Sequence, residues 1–135
     1  MSTSSARKRL RFDHTESEVA NGQSRVRVTL TLGEQIFRAE ASEPEEGIGP
    51  LKAAALATLT AVQAAAGERF TCSLADLDHV KALGKDLIAV LVDFTFQGRD
   101  VQVFGSCQIA GGEIDCAVKA ALNATNRMFE LAMRE

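Results

Sequence analysis

The sequence predicts an α+β fold in which a βββα unit occurs twice, its strands joined in one antiparallel sheet with both helices packed on one face. Three observations predict it. Two-residue alternation of apolar and polar side chains, strict over 25–32, marks two hairpin-like blocks, 25–42 and 86–108. Each block runs through a glycine-containing loop into a breaker-free helical pattern, 51–66 and 113–134. The halves also align: a shift of 65 residues brings Gly33 onto Gly98, and one of 66 brings Ala55-Leu56 onto Ala121-Leu122.

Taken in order, an extended segment, Leu10 to Val19, opens the first repeat. In residues 25–32, Val26, Val28, Leu30 and Leu32 share one face, with Arg25, Arg27, Thr29 and Thr31 on the other, as in a half-buried strand. Gly33-Glu34 turns the chain and Gln35 to Ser42 returns. The loop Glu43 to Gly49 follows, and its acidic residues read as a solvated surface. Pro50 suits a first helical turn, where its missing N–H costs nothing. The helix 51–66 carries many alanines, which permit close approach to a sheet, and Gly67 ends it.

The second repeat opens with Phe70 to Leu77. Along Asp86 to Phe96, Ile88, Val90, Val92, Phe94 and Phe96 form one face; Leu87, Ala89 and Leu91 make part of the other face apolar too. A strand apolar on both sides is buried twice or covered by a partner, so Leu87, Ala89 and Leu91 are candidate interface residues. Gln97 to Asp100 turns, Val101 to Gln108 returns, and Gly111-Gly112 leads into a helix striped by Ile114, Ala117, Val118, Ala121, Leu122, Thr125, Met128, Phe129 and Ala132.

The 135 residues suit one domain of about 150 and exclude a (β/α)₈ barrel, which needs about 250. The chain divides into a basic arm, 1–9, and a domain, 10–135, made of repeats 10–67 and 68–135. No uncharged apolar run is long enough to span a bilayer, and the first residues lack the apolar core of a secretion signal. A cytoplasmic protein without membrane contact is expected. Arg7, Lys8, Arg9 and Arg11 belong to the arm region; the rest carries 11 basic against 18 acidic residues. Such a body is a poor generic nucleic-acid binder. Tyr and Trp are absent and the seven Phe fall mostly in apolar alternation, leaving little for base stacking. Cys72, Cys107 and Cys116 form no close pair in sequence and read as reduced thiols, Cys107 and Cys116 as small buried hydrophobes. With only His14 and His79, far apart, the sequence nominates no metal ligands, no catalytic residues and no cofactor.

Two motifs add a resemblance. Gly47-Ile48-Gly49-Pro50-Leu51-Lys52-Ala53 resembles a G-x-G-P-hydrophobic-x-A loop, and Lys119-Ala120-Ala121-Leu122-Asn123-Ala124-Thr125-Asn126-Arg127-Met128 resembles a K-A-aromatic-L-N-A-L-N-R-L helix. In this order within a duplicated βββα pattern, both are similar to the C-terminal regulatory domain of 2-isopropylmalate synthase, over residues 10–132. The resemblance implies a dimer whose loops bind a feedback amino acid at the paired interface. Lys52 stands where the family usually has an acid, Gly112 where it usually has an aspartate before Glu113, and the catalytic barrel with its H-x-H metal motif is absent. The expectation is a stand-alone, non-catalytic dimerisation and small-ligand-sensing module. Its ligand, an amino acid or small carboxylate, is expected at Gly47, Ile48, Gly49, Pro50, Gly111, Gly112 and Glu113. Glycines allow close backbone approach there, and helix N-termini favour anions. The alternative is an RNA-binding module using the arm.

Overall fold

A computed structural model describes residues 9–134, so Arg7 and Lys8 of the arm lie outside the described residues. Its elements are β1 (Leu10–Ala20), β2 (Gln23–Leu32), β3 (Gln35–Pro44), α1 (Gly49–Ala65), β4 (Thr71–Ala82), β5 (Lys85–Phe96), β6 (Arg99–Gln108) and α2 (Glu113–Met133). The duplicated βββα order is as expected. The joined sheet is not: β1-β2-β3 and β4-β5-β6 form two separate three-stranded antiparallel sheets. Nor do both helices share one face. α1 packs on β2 and β3, α2 packs on β5 and β6, and the helices pack on each other.

The strand edges explain the separation. α1 also lies against β4, and α2 against β1, so each first strand meets the opposite unit's helix rather than pairing with one of that unit's strands. Side chains also tie helix to strand backbone. The Gln63 side chain accepts from Cys72 N–H at 2.8 Å, and Asn123 donates to the Ser106 carbonyl at 2.9 Å. Asn123, exposed on α2, is thereby a strut between α2 and β6.

Register exposes the repeat more deeply than the sequence does. β1 and β4 each carry one bulge in the same place, between Phe12 and His14 and between Leu74 and Asp76. Asn21-Gly22 and Leu83-Gly84 are equivalent two-residue turns, and both residues of each pair have positive φ. β4 therefore continues to Ala82, beyond the end expected at Leu77. The turn Gly33-Glu34 corresponds to Gln97-Gly98, a shift of 64 residues, so Gly33 and Gly98 occupy different turn positions.

Val26, Val28 and Leu30 on β2 and Ile88, Val90, Val92 and Phe94 on β5 supply the inner faces and are almost completely buried. Phe70 meets Phe94 edge-on at 4.9 Å. The alanines let backbone approach backbone. A Cβ on Gly105 of β6 would run into the Ala120 carbonyl oxygen and Ala124 N of α2. The buried hydroxyls of Thr58 and Thr125 donate to the carbonyls of Ala54 and Leu122 in their own helices.

Candidate functional site: the outer sheet faces and the glycine loops

Because the units repeat, each outer sheet face is an internal control for the other. On the β1-β2-β3 face, Arg25 stands between Glu18 at 3.1 Å and Glu40 at 3.5 Å; Arg27 stands between Glu16 at 3.4 Å and Glu40 at 3.0 Å. Hydrogen bonding and charge from Glu40, then charge from Glu16, raise the Arg27 pKa further above its already high value. The charges sit in water and alternate across the strands, so the face is finished for solvent.

At equivalent register positions the β4-β5-β6 face is apolar. Arg25 is replaced by Leu87, Arg27 by Ala89, Thr29 by Leu91, Glu18 by Val80 and Arg38 by Phe104. Val80, Leu87 and Leu91 are half-buried, Ala89 is buried, and Phe104 is 65% exposed. Together with Asp76 and Asp78, Val80, Ala89, Leu91 and Phe104 border a shallow trough of about 220 Å³. The structure thus places the three sequence-nominated interface residues on one open face and adds two. Val80 escaped sequence reading because its strand was ended too early. Phe104 did so although it breaks the inward alternation of Val101, Val103 and Cys107. Asp93, on the same outward row, is exposed and accepts from Gln102 at 2.7 Å, at the polar end of the face.

The two glycine loops differ from each other. In the first, Gly47 has φ 60°, while Gly49 is buried and a Cβ there would strike the Pro44 carbonyl oxygen. Gly49 is required sterically, so a bulky replacement would disturb the strand-to-helix junction rather than test a ligand alone. Ile48 occupies the N-cap without a capping side chain, Pro50 follows in the first turn, and that turn holds no acidic residue. Lys52, 3.9 Å from Glu43, lies beside it.

In the second loop, Gly111 and Gly112 have open space around them, and Gly112, the N-cap, is extended. Glu113 and Asp115 already place two carboxylates at this helix end, and Asp115 accepts from the Thr15 hydroxyl at 2.7 Å. They complement the helix dipole themselves. Each loop is tied to the first hairpin of its own unit, through Glu45 N–H to the Gly22 carbonyl and Ile109 N–H to the Asp86 carbonyl, both 2.9 Å.

The three thiols are free. Cys116 is buried, as expected of a small hydrophobe, whereas Cys72 and Cys107 are half-buried. Burial pushes the Cys72 thiol up to about 11. Arg9 of the arm lies 3.9 Å from Glu130 of α2. No helix among the described residues is long and apolar enough to cross a membrane.

No protein-family model and no curated protein matches this chain.

Proposed function

We propose that this chain is a non-catalytic pairing module of the regulatory-domain type, which forms a homodimer through the β4-β5-β6 outer face. One observation carries the proposal: the repeat that presents Arg25, Arg27 and Arg38 to water on one sheet presents Leu87, Ala89 and Phe104 on the other. An apolar sheet face with an exposed aromatic residue on its edge strand suits burial against a matching surface, and a two-fold axis lets one patch serve both partners. The motif resemblance to the 2-isopropylmalate synthase regulatory domain supports the same reading.

Light scattering coupled to gel filtration tests it. The wild type is expected to run as a dimer at micromolar concentration, and Phe104→Asp is expected to weaken association at least 100-fold while leaving the circular dichroism spectrum unchanged. A monomeric wild type, or a folded Phe104→Asp dimer of undiminished affinity, would overturn the assignment.

The effector half of the proposal, an amino acid or small carboxylate, rests on the first glycine loop. The uncapped, acid-free start of α1 offers an anion the positive end of the helix dipole and the Lys52 ammonium beside it, whereas the start of α2 carries its own acids. Calorimetric titration of the wild type with amino acids and small carboxylates is expected to find a ligand at millimolar concentration or below. Heat unchanged by Lys52→Glu would place binding elsewhere, and no heat from any of them would leave pairing as the whole function.

A further inference from the structure

Cys107 and Cys116 come together where β6 passes into α2. Cys107 stands opposite buried Ile88 in the β5–β6 register, so its side chain is on the inner face, toward α2. Cys116 lies one turn into α2, 4% exposed, and its thiol donates to the Cys107 carbonyl oxygen at 3.1 Å. Burial first, and then the adjoining Cys107 thiol, raise the Cys116 pKa to about 11. Cys107 remains half-buried, its sulfur 3.5 Å from the Gln108 carbonyl oxygen, and is the more accessible of the two. Cys72 is engaged elsewhere, 3.7 Å from the Leu59 carbonyl of α1.

We propose that Cys107 and Cys116 are a peroxide-responsive pair that closes a disulfide across the entrance of α2. In the first step the Cys107 sulfur attacks one oxygen of hydrogen peroxide. The O–O bond breaks, Cys107 becomes a sulfenic acid, and water leaves with the thiol proton. In the second, the Cys116 sulfur displaces the hydroxyl from Cys107; the S–S bond forms, and the hydroxyl leaves as water with the Cys116 proton. Two thiols lose two electrons and peroxide gains them. The closed ring contains Gly111, Gly112 and Glu113, so oxidation ties the second glycine loop to both of its flanking elements. Ring closure removes conformations from that loop and holds the first turn of α2 against the end of β6.

The full-length wild type, treated with hydrogen peroxide, then unfolded in N-ethylmaleimide and digested without reduction, gives a direct reading by mass spectrometry. The expected product is a Cys107–Cys116 linked peptide, reversed by dithiothreitol, with Cys72 alkylated. Amide exchange across Gly111 to Glu113 should slow several-fold in the oxidised protein and recover on reduction. In Cys116→Ser, oxidation should stop at a Cys107 sulfenic acid that dimedone traps, at a yield several-fold above wild type. Recovery of Cys107 as sulfinic acid or in intermolecular disulfides, with Cys116 carrying the maleimide, would overturn the proposal. So would equal dimedone labelling of the two proteins.

Discussion

At Leu83 the backbone adopts φ 54° while the side chain is 99% exposed, so the residue bears left-handed strain without burying its isobutyl group. The equivalent turn uses Asn21, whose short polar side chain tolerates that conformation. Leu83→Asn is expected to stabilise the fold by about 1 kcal/mol, read as a rise of roughly 3 °C in melting temperature. The same residue hid its turn from sequence reading, because Leu-Gly carries none of the hairpin signal of Asn-Gly, and that misplaced the end of β4. The thiols give a second expectation. Cys72 and Cys116 rise from an ordinary 9.0 to about 11 in the folded chain. Since the folded state holds these protons more tightly, their contribution to stability is complete below about pH 9 and is lost as pH climbs through about 11. Urea midpoints measured across that range should fall, and iodoacetamide at pH 8 should modify both thiols on the order of 100-fold more slowly than in the unfolded chain.

Glycines at the element junctions separate contacts that build the fold from space that it leaves open. Gly105 lies where the backbone of α2 rests on β6, so Gly105→Ala should cost about 2–3 kcal/mol in urea melts. Gly112→Ala meets nothing within 4 Å and should stay within about 0.5 kcal/mol. A Gly112→Ala loss as large as that of Gly105→Ala would mean that the second loop is packed rather than open. Alternation made the inner faces of β2 and β5 readable, and breaker-free helical periodicity made both helices readable. Gly105 was not readable as a contact: strand periodicity fixes which way a side chain points but not how close a neighbouring backbone comes. In the same way the Gly47 to Pro50 motif was legible as a loop, while only the position of Pro44 shows that Gly49 is fixed by space and Gly47 by φ.

In the whole molecule, the distribution of polarity says more than net charge. The charge of −3 averages over a sheet face laced with arginine–glutamate pairs and another centred on leucine, alanine and phenylalanine. Leu87, Ala89 and Leu91 already hinted at the second face, because alternation fails visibly inside one strand. That the strands close into two sheets was not legible. Edge-to-edge joining depends on what lies beside β1 and β4, and there the opposite helices intervene. If the apolar face pairs as proposed, the charged ladder of Arg25, Arg27 and Glu40 becomes the surface that the dimer turns outward to water.

The meander order of both sheets bears on how the chain reaches this state. Every strand pairs only with its neighbour in sequence, across turns of two residues, so neither sheet waits for a distant segment to arrive. For a chain so rich in strand the loop-closure entropy of pairing is small, and folding should be quicker than in β-sandwiches whose strands cross over. The slower, long-range work falls to α1 and α2. They must find each other and the opposite first strands, β4 and β1, before the two finished hairpin sheets become one protein.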